Sequence, residues 1–579
     1  MQKDDTTERA GRGNNSGLGR FRTWLSARDP VLVTALVISL IFSLYGIGWG
    51  RVESWNLDEL ALQPLHGLRP HGYLKPPFHT YVNHLLVLEP INLFDMLVKY
   101  LGGKHHDFAE AKLLGSGLVV ICLSLGTICL AYAISVRSFG RFAARVSALT
   151  FATSAGFVEY SHFLTADSPL LFWMLLALLF EVRILFTHSL ADYLLSGFLT
   201  GVCSATKYNG IAVGIGIVSA HLLARDQVRW KETLLDRRLW LGLGLVPIGF
   251  LCASPFVIFD SRKFIVDFMY NYYVTPRYEG QQGHGYFQFL ARLPEVLGWP
   301  GTVIVCFATT LSIFLVVRSW HSNRVGAKTF LVLASVFLLY FAKIGSFSRV
   351  PTRFVLPAVP FLVLMAGPLW QRLRRRQRPV ALILAPTLLY NTLCCFVVGQ
   401  RFSSDPRSVA QHWMESHVHR GSVIESSWAS PHWTRLPGLN GAERDLAKMD
   451  SRALSRGLIV DLRMPKVTGR AELFSKIFQG NRWVMESLDA REGRPDDQLF
   501  TIAELQKRNP DYIAAYSADY VVPNETVKSY YSNLLEGQFP YDIAADGEST
   551  VMAPFWLYPR QIDFLGGRIT ILKRRQKLM

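Results

Sequence analysis

Apolar runs of about 20 residues recur about eleven times before residue 400, and they leave this chain few ways to fold. A run of that length crosses a hydrocarbon core of roughly 30 Å as a helix, which satisfies its own backbone N–H and C=O groups. The runs lie near 31–50, 112–136, 142–158, 166–187, 192–206, 209–224, 239–258, 296–317, 328–342, 353–370 and 379–399. The expected fold class is therefore a polytopic α-helical membrane protein of about 11 transmembrane helices. Composition agrees: 50% of the 579 residues are hydrophobic, only 18% are charged and the mean hydropathy is +0.20, which argues against a soluble enzyme.

Basic residues set the expected orientation, because short loops rich in Lys and Arg stay in the cytoplasm. Arg9, Arg12, Arg20, Arg22 and Arg28 precede the first run, and later clusters fall at Arg137 to Arg145, Arg225 to Arg238, Arg318 to Lys328 and Arg372 to Arg378. With about eleven spans all of these share one side, so the N-terminus is expected to be cytoplasmic and the chain beyond about residue 400 extracytoplasmic. Much of the net charge of +17 belongs to this pattern. Membrane lipid is then the expected partner, and nucleic acid is not. Residues 1–29 read as a disordered cytoplasmic tail, with no cleavage site after the first run. All seven cysteines sit within or at the ends of apolar runs, where they serve as small core residues rather than disulfides or metal ligands.

Residues 30–400 are expected to form the transmembrane domain. Its first outer loop, 51–110, contains an amphipathic stretch from Phe78 to Leu101 that suits an interfacial helix broken at Pro90. A second loop, 259–294, is rich in Tyr and reads either as a lid over a cleft or as an aromatic belt. A third is short, from Lys343 to Arg353. Residues 401–579 alternate helical patterns, such as Arg407 to His417, with strand-like runs at Val423–Ser427, Gly457–Leu462, Tyr512–Tyr516 and Arg568–Leu572, so a C-terminal extracytoplasmic α/β domain is expected.

On this topology Asp58, Glu59, Lys75, Asp167, Lys207, Arg349 and Arg353 fall at one depth, although they are far apart in sequence. A layer of carboxylates and cations suits transfer from a lipid phosphate: a carboxylate takes the acceptor's proton while cations hold the departing phosphate. Blander roles exist for each. An Asp-Glu pair in a loop is commonly solvated, Lys75 can snorkel beside Pro76-Pro77, Asp167 can cap a helix, and Lys207 and Arg353 can anchor at the interface. His66, His71, His79, His84, His105 and His106 crowd the first outer loop without the spacing of a zinc motif, and they read as solvated.

The membrane part resembles the glycosyltransferase-C superfamily, in particular the branch containing protein O-mannosyltransferases and the lipid A aminoarabinose transferase. The resemblance rests on Asp58-Glu59, Leu74-Lys75-Pro76-Pro77-Phe78, Asp167-Ser168-Pro169-Leu170-Leu171, Lys207 through Gly210, and Arg353-Phe354-Val355-Leu356-Pro357. It implies inverting transfer of a sugar from a polyprenyl-phosphate carrier to an acceptor on the outer membrane face. Asp58 would be the general base, Glu59 its neighbour shaping the site, and Asp167 a second acidic residue orienting donor or acceptor. Lys75 would bind the carrier phosphate, with Lys207 and Arg353 as further phosphate contacts. No cofactor is required on this reading; a divalent cation is the only candidate, and no residue is assigned to hold one. Leu60-Ala61-Leu62 follows Asp58-Glu59 where the lipid A enzyme has an Arg-Tyr pair, which disfavours aminoarabinose as the donor. The rival class is a transporter or flippase, which would show paired discontinuous helices near the midplane, and no internal repeat is evident.

Overall fold

The computed structural model describes residues 29–49, 65, 69–70, 72–101, 108–224, 230–273, 284–318, 324–418, 424–427, 459–460, 500–516, 525–547 and 568–575. Helix underlies each of the eleven apolar runs. Six segments among the described residues are long and apolar enough to cross a membrane: Glu110–Phe139, Asp167–Thr187, Trp299–Arg318, Arg324–Gly345, Thr352–Leu373 and Gln377–Met414. Two more, Pro30–Leu44 and Tyr208–Ala224, are apolar but shorter. This makes the protein a multi-pass integral membrane protein.

Tertiary docking explains why some runs are not single spans. The run at 142–158 divides into Arg141–Ala152 and Ala155–His162. At the break, buried Ser154 donates its hydroxyl to the Val296 carbonyl at 2.5 Å, and a Cβ on Gly156 would strike the Val296 backbone. The chain gives up helix there to lie against the 296–298 turn. Likewise, the Tyr208–Ala224 run opens as a 3-10 turn over Tyr208–Gly214 before becoming the Ile215–Ala224 helix.

Sequence signals set the helix starts. Asp29-Pro30 and Asp405-Pro406 each place a carboxylate before a proline, and each carboxylate accepts the N–H two residues on, Val31 at 3.0 Å and Arg407 at 2.9 Å. Small residues allow the closest packing. The Leu190–Thr206 and Arg237–Ala253 helices meet backbone to backbone: a Cβ on Gly197 would collide with the Gly242 carbonyl, and one on Gly249 with that of Phe198.

Two expected loops are largely helical. Phe78–Asn83 continues through a π-helical turn, His84–Leu88, into Glu89–Tyr100. Pro90 therefore does not break the helix, because the wider turn before it absorbs the missing N–H. Leu85, Leu86, Leu93, Phe94 and Leu97 are exposed along this stretch. Within 259–294, Ser261–Tyr273 and Gly285–Leu297 are helices. Phe264, Phe268 and Tyr272 follow one another at four-residue spacing, with ring centroids 5.8 and 6.5 Å apart, so the aromatic run is a helix face.

Beyond Ser403 all four expected strand-like runs contain strands: β1 (Ile424–Ser427), β2 (Ile459–Val460), β3 (Tyr512–Tyr516) and β5 (Ile569–Arg574), joined by β4 (Tyr541–Gly547). The order is β2-β1-β3-β5-β4, with β1 parallel to β2 and β3, and β5 antiparallel to β3 and β4. Alternate residues of β3 serve opposite faces. Ile513 and Ala515 pack with Phe500, Leu505 and Tyr530, whereas Tyr512 and Ala514 pack with Ala410 and Met414 of the Pro406–His417 helix.

That helix is fixed to the bundle by a buried polar joint. Asp405 accepts from the Trp49 indole at 2.8 Å and receives both Nε and Nη2 of Arg407, at 2.9 and 2.7 Å. Trp49 and Phe402 meet edge to face, and Phe402 stacks on His162 at 4.1 Å. Asp405→Ala would leave the Arg407 charge buried without its partner, at a cost of about 3–5 kcal/mol. Thermal unfolding in detergent should show a large drop for Asp405→Ala and substantial recovery for Asp405→Ala with Arg407→Met; equal drops would show that the pairing is not what stabilises the joint.

Candidate functional site

Asp58 and Glu59 lie outside the described residues, as do His66, His71, His105 and His106. The remaining predicted site residues, Lys75, Asp167, Lys207 and Arg353, are described, and three of them converge directly.

Asp167 is the first residue of the Asp167–Thr187 helix, with Ala166 at the cap position. It does not act as the cap. Its Oδ2 accepts from Thr165 Oγ1 at 3.1 Å, and its Oδ1 forms an ion pair with Lys207 Nζ. The helix N-terminus adds a favourable field for the buried carboxylate. Lys207 is extended, immediately after the Leu190–Thr206 helix, and its N–H still bonds to the Cys203 carbonyl at 2.9 Å. The turn that follows is possible because residue 210 is Gly: a Cβ there would lie 2.6 Å from the Cys203 carbonyl oxygen and 2.8 Å from Leu170.

The Lys207 ammonium also lies 5.1 Å from the centre of the Phe354 ring, and the Arg353 guanidinium lies 5.6 Å from the same ring. Both cations thus lie against the same aromatic ring, whose quadrupole favours positive charge. The Phe354 carbonyl accepts from Tyr340 OH at 3.0 Å, and that hydroxyl accepts from Asn209 at 2.6 Å. Arg353 sits in a short helix, Thr352–Val355, anchored by a hydrogen bond from the Thr352 hydroxyl to Glu295, which also pairs with Arg292 at 2.5 Å. Gln288 fixes the approach to it, donating to the Ser348 carbonyl at 3.2 Å and accepting from Val350 N–H at 2.8 Å.

Lys75 is half-buried on an irregular strap, 72–77, that ends in buried Pro76 and Pro77. The strap touches the Lys207 turn directly, since Tyr208 OH donates to the Tyr73 carbonyl at 2.5 Å. It leads into the Phe78–Asn83 helix and His79.

His79 differs from the solvated histidine expected in this loop. It is 1% exposed, and its Nε2 accepts from Asn83 at 3.1 Å. Burial pushes its imidazole down to about 4 from 6.5, with the negative Asp167 pulling the other way. A short helix entered through two prolines gives no periodicity to reveal this burial, which comes from tertiary packing. His84 pairs with Glu89 at 2.7 Å. Asn209, Tyr340 and Phe354 are also part of the site without having been singled out for a role from the sequence.

Between the two pKa values the unfolded chain binds a proton that folded His79 does not. Stability therefore rises with pH across that window and is lost as pH falls from 6.5 toward about 4. The shift corresponds to at most about 3 kcal/mol. Unfolding temperatures measured from pH 7 to pH 4.5 should fall more steeply for the wild type than for His79→Gln, and parallel curves would remove His79 as the source.

Residues 109–259 match the family model described as dolichyl-phosphate-mannose-protein mannosyltransferase, a segment that includes Asp167 and Lys207. No curated protein sequence matches the chain. Among solved structures, ArnT from Cupriavidus metallidurans in the apo state is similar at 14% identity and a TM-score of 0.48, over 95% of this chain and 98% of that one. The same protein bound to undecaprenyl phosphate gives 15% identity and a TM-score of 0.45 over the same shares. AglB from Archaeoglobus fulgidus, in complex with an inhibitory peptide and a dolichol-phosphate, gives 13% and 0.44 over 84% of this chain and 69% of that one. The family match bears out, over residues 109–259, the resemblance to the branch that contains protein O-mannosyltransferases.

Proposed function

We propose that this protein is an inverting glycosyltransferase that moves a sugar from a polyprenyl-phosphate carrier to an acceptor on the outer face of the membrane. The observation that carries this reading is the gathering of Asp167, Lys207 and Arg353 beside the Lys75 strap, at one end of the bundle, within and around the segment that matches a lipid-phosphate-sugar transferase family. Cations clustered at the end of apolar helices suit a phosphate that stays at the membrane surface while its polyprenyl chain stays in lipid.

In the reaction the acceptor hydroxyl oxygen attacks the anomeric carbon from the face opposite the phosphate. The new C–O bond forms as the bond to the phosphate oxygen breaks, and the electron pair leaves with the phosphate. Asp58 takes the hydroxyl proton, and Glu59 shapes its surroundings. Lys75, Lys207 and Arg353 stabilise the charge growing on the leaving phosphate, Lys as a point charge and Arg through its planar fork. Asp167 keeps Lys207 oriented and limits the local excess of positive charge before the donor arrives. This reading requires no cofactor, and a divalent cation is the only candidate for one. Residues 1–29 face the cytoplasm, 30–400 form the catalytic membrane domain and 401–579 form an extracytoplasmic α/β domain.

The test is release of free lipid phosphate from a panel of radiolabelled undecaprenyl- and dolichyl-phosphate sugars by the full-length protein in lipid. Asp58→Asn should lower the rate by about 100- to 10,000-fold, the usual contribution of a positioned base. Movement of labelled lipid between leaflets without any release, unchanged in Asp58→Asn, would instead favour a flippase.

A further inference from the structure

The strap that carries Lys75 has little backbone pairing of its own, yet side chains from two remote elements hold it tightly. Asp267, wholly buried in the Ser261–Tyr273 helix, accepts the Tyr73 N–H through Oδ2 at 2.6 Å. One turn further along that helix, Asn271 donates to the Leu74 carbonyl. The Tyr73 carbonyl is taken by Tyr208 OH, and the Tyr73 phenol donates to Asp260 at 3.2 Å, where Arg69 also pairs at 3.1 Å. A Cβ at Gly72 would already press on Asp267 Oδ2 at 3.2 Å.

Burying a carboxylate against a backbone N–H is a costly way to route a loop. It is an effective way to fix where the loop's cation stands. Lys75 is two residues from Tyr73, so at most about 7 Å of chain separates its Cα from the bonded unit. Tyr208 is the residue after Lys207. The Tyr208 to Tyr73 hydrogen bond therefore joins the two segments that carry the lysines. A pair of cations held at a fixed separation needs no reorganisation as phosphate charge develops.

We propose that Tyr208 and Asp267 are positioning residues that lock Lys75 and Lys207 into one clamp for the carrier phosphate. The inference rests on the glycosyl-transfer reading above, but its test does not require the sugar to be known. Neither residue touches the phosphate; each acts through the strap.

The test is the affinity of the full-length protein in lipid nanodiscs for undecaprenyl phosphate, with dolichyl phosphate as a second probe. Tyr208→Phe removes one hydroxyl and should weaken binding about 10-fold, the equivalent of one well-placed hydrogen bond. Asp267→Asn should act in the same direction. In a Lys75→Met background Tyr208→Phe should cause no further loss, because its effect passes through Lys75; a merely structural role would subtract equally in both backgrounds. Unchanged affinity in Tyr208→Phe, an equal loss in the Lys75→Met background, or no binding of either lipid phosphate by the wild type would each overturn the clamp. If the binding pattern holds but no donor sugar is ever released, the glycosyl-transfer reading falls while the lipid-phosphate clamp stands.

Discussion

Two antiparallel helices, Asp167–Thr187 and Leu190–Thr206, are stapled at both ends by ion pairs, and much of the molecule is arranged around that hairpin. At one end Asp167 meets Lys207; at the other Arg183 meets Asp192 at 2.9 Å, with Asp192 almost wholly buried. Charges this poorly solvated are tolerated only when paired, so the pairs fix the register of one helix against the other. That register brings the Lys207 turn against Phe354 and Tyr340 and gives Tyr208 its reach to the Tyr73 strap. The site is thus a consequence of how the hairpin closes, and its parts come from segments nearly 300 residues apart because each docks on the same closed end.

The sidedness of the polar groups follows from the same constraint. Hydrocarbon offers no hydrogen-bond partners, so side chains that must be charged collect where helices end. The basic end has Arg145 on Asp29 at 2.9 Å and Arg183 on Asp192; the opposite end has Asp167 on Lys207 and the Trp49, Asp405 and Arg407 joint. Segregation of these ion pairs to the helix ends suits the one-surface chemistry proposed above, while Glu159 and Glu181 are buried within helices.

Much of this was legible in the sequence, for reasons that vary by element. Apolar length marked the eleven runs that helices underlie, since length and hydropathy are local properties. The interruption at Thr153-Ser154 was not legible, because it depends on a carbonyl at Val296 that only tertiary docking supplies. Four strands announced themselves by short apolar runs; β4, Tyr-Asp-Ile-Ala-Ala-Asp-Gly, alternates too weakly to do so. Asp167, Lys207 and Arg353 could be placed at one depth by counting spans, while their shared partner Phe354 could not. Asp267 was hidden in an aromatic stretch read as a loop, where its burial depends on that stretch being helix, and Asp260 just precedes that helix.

Only Ser404 and Asp405 separate the Gln377–Ser403 helix from Pro406–His417, and Asp405 is at once the cap of the second helix and the acceptor for Trp49. The connection is therefore a splint, not a hinge. The five-stranded sheet inherits its bearing from the last bundle helix, through Met414 and Ala410 packed on β3 and β5. Whatever rests on that sheet is held at a set height and angle relative to the first helix, whose end Trp49 marks, so the spacing between them is a fixed ruler and not a range sampled by a tether.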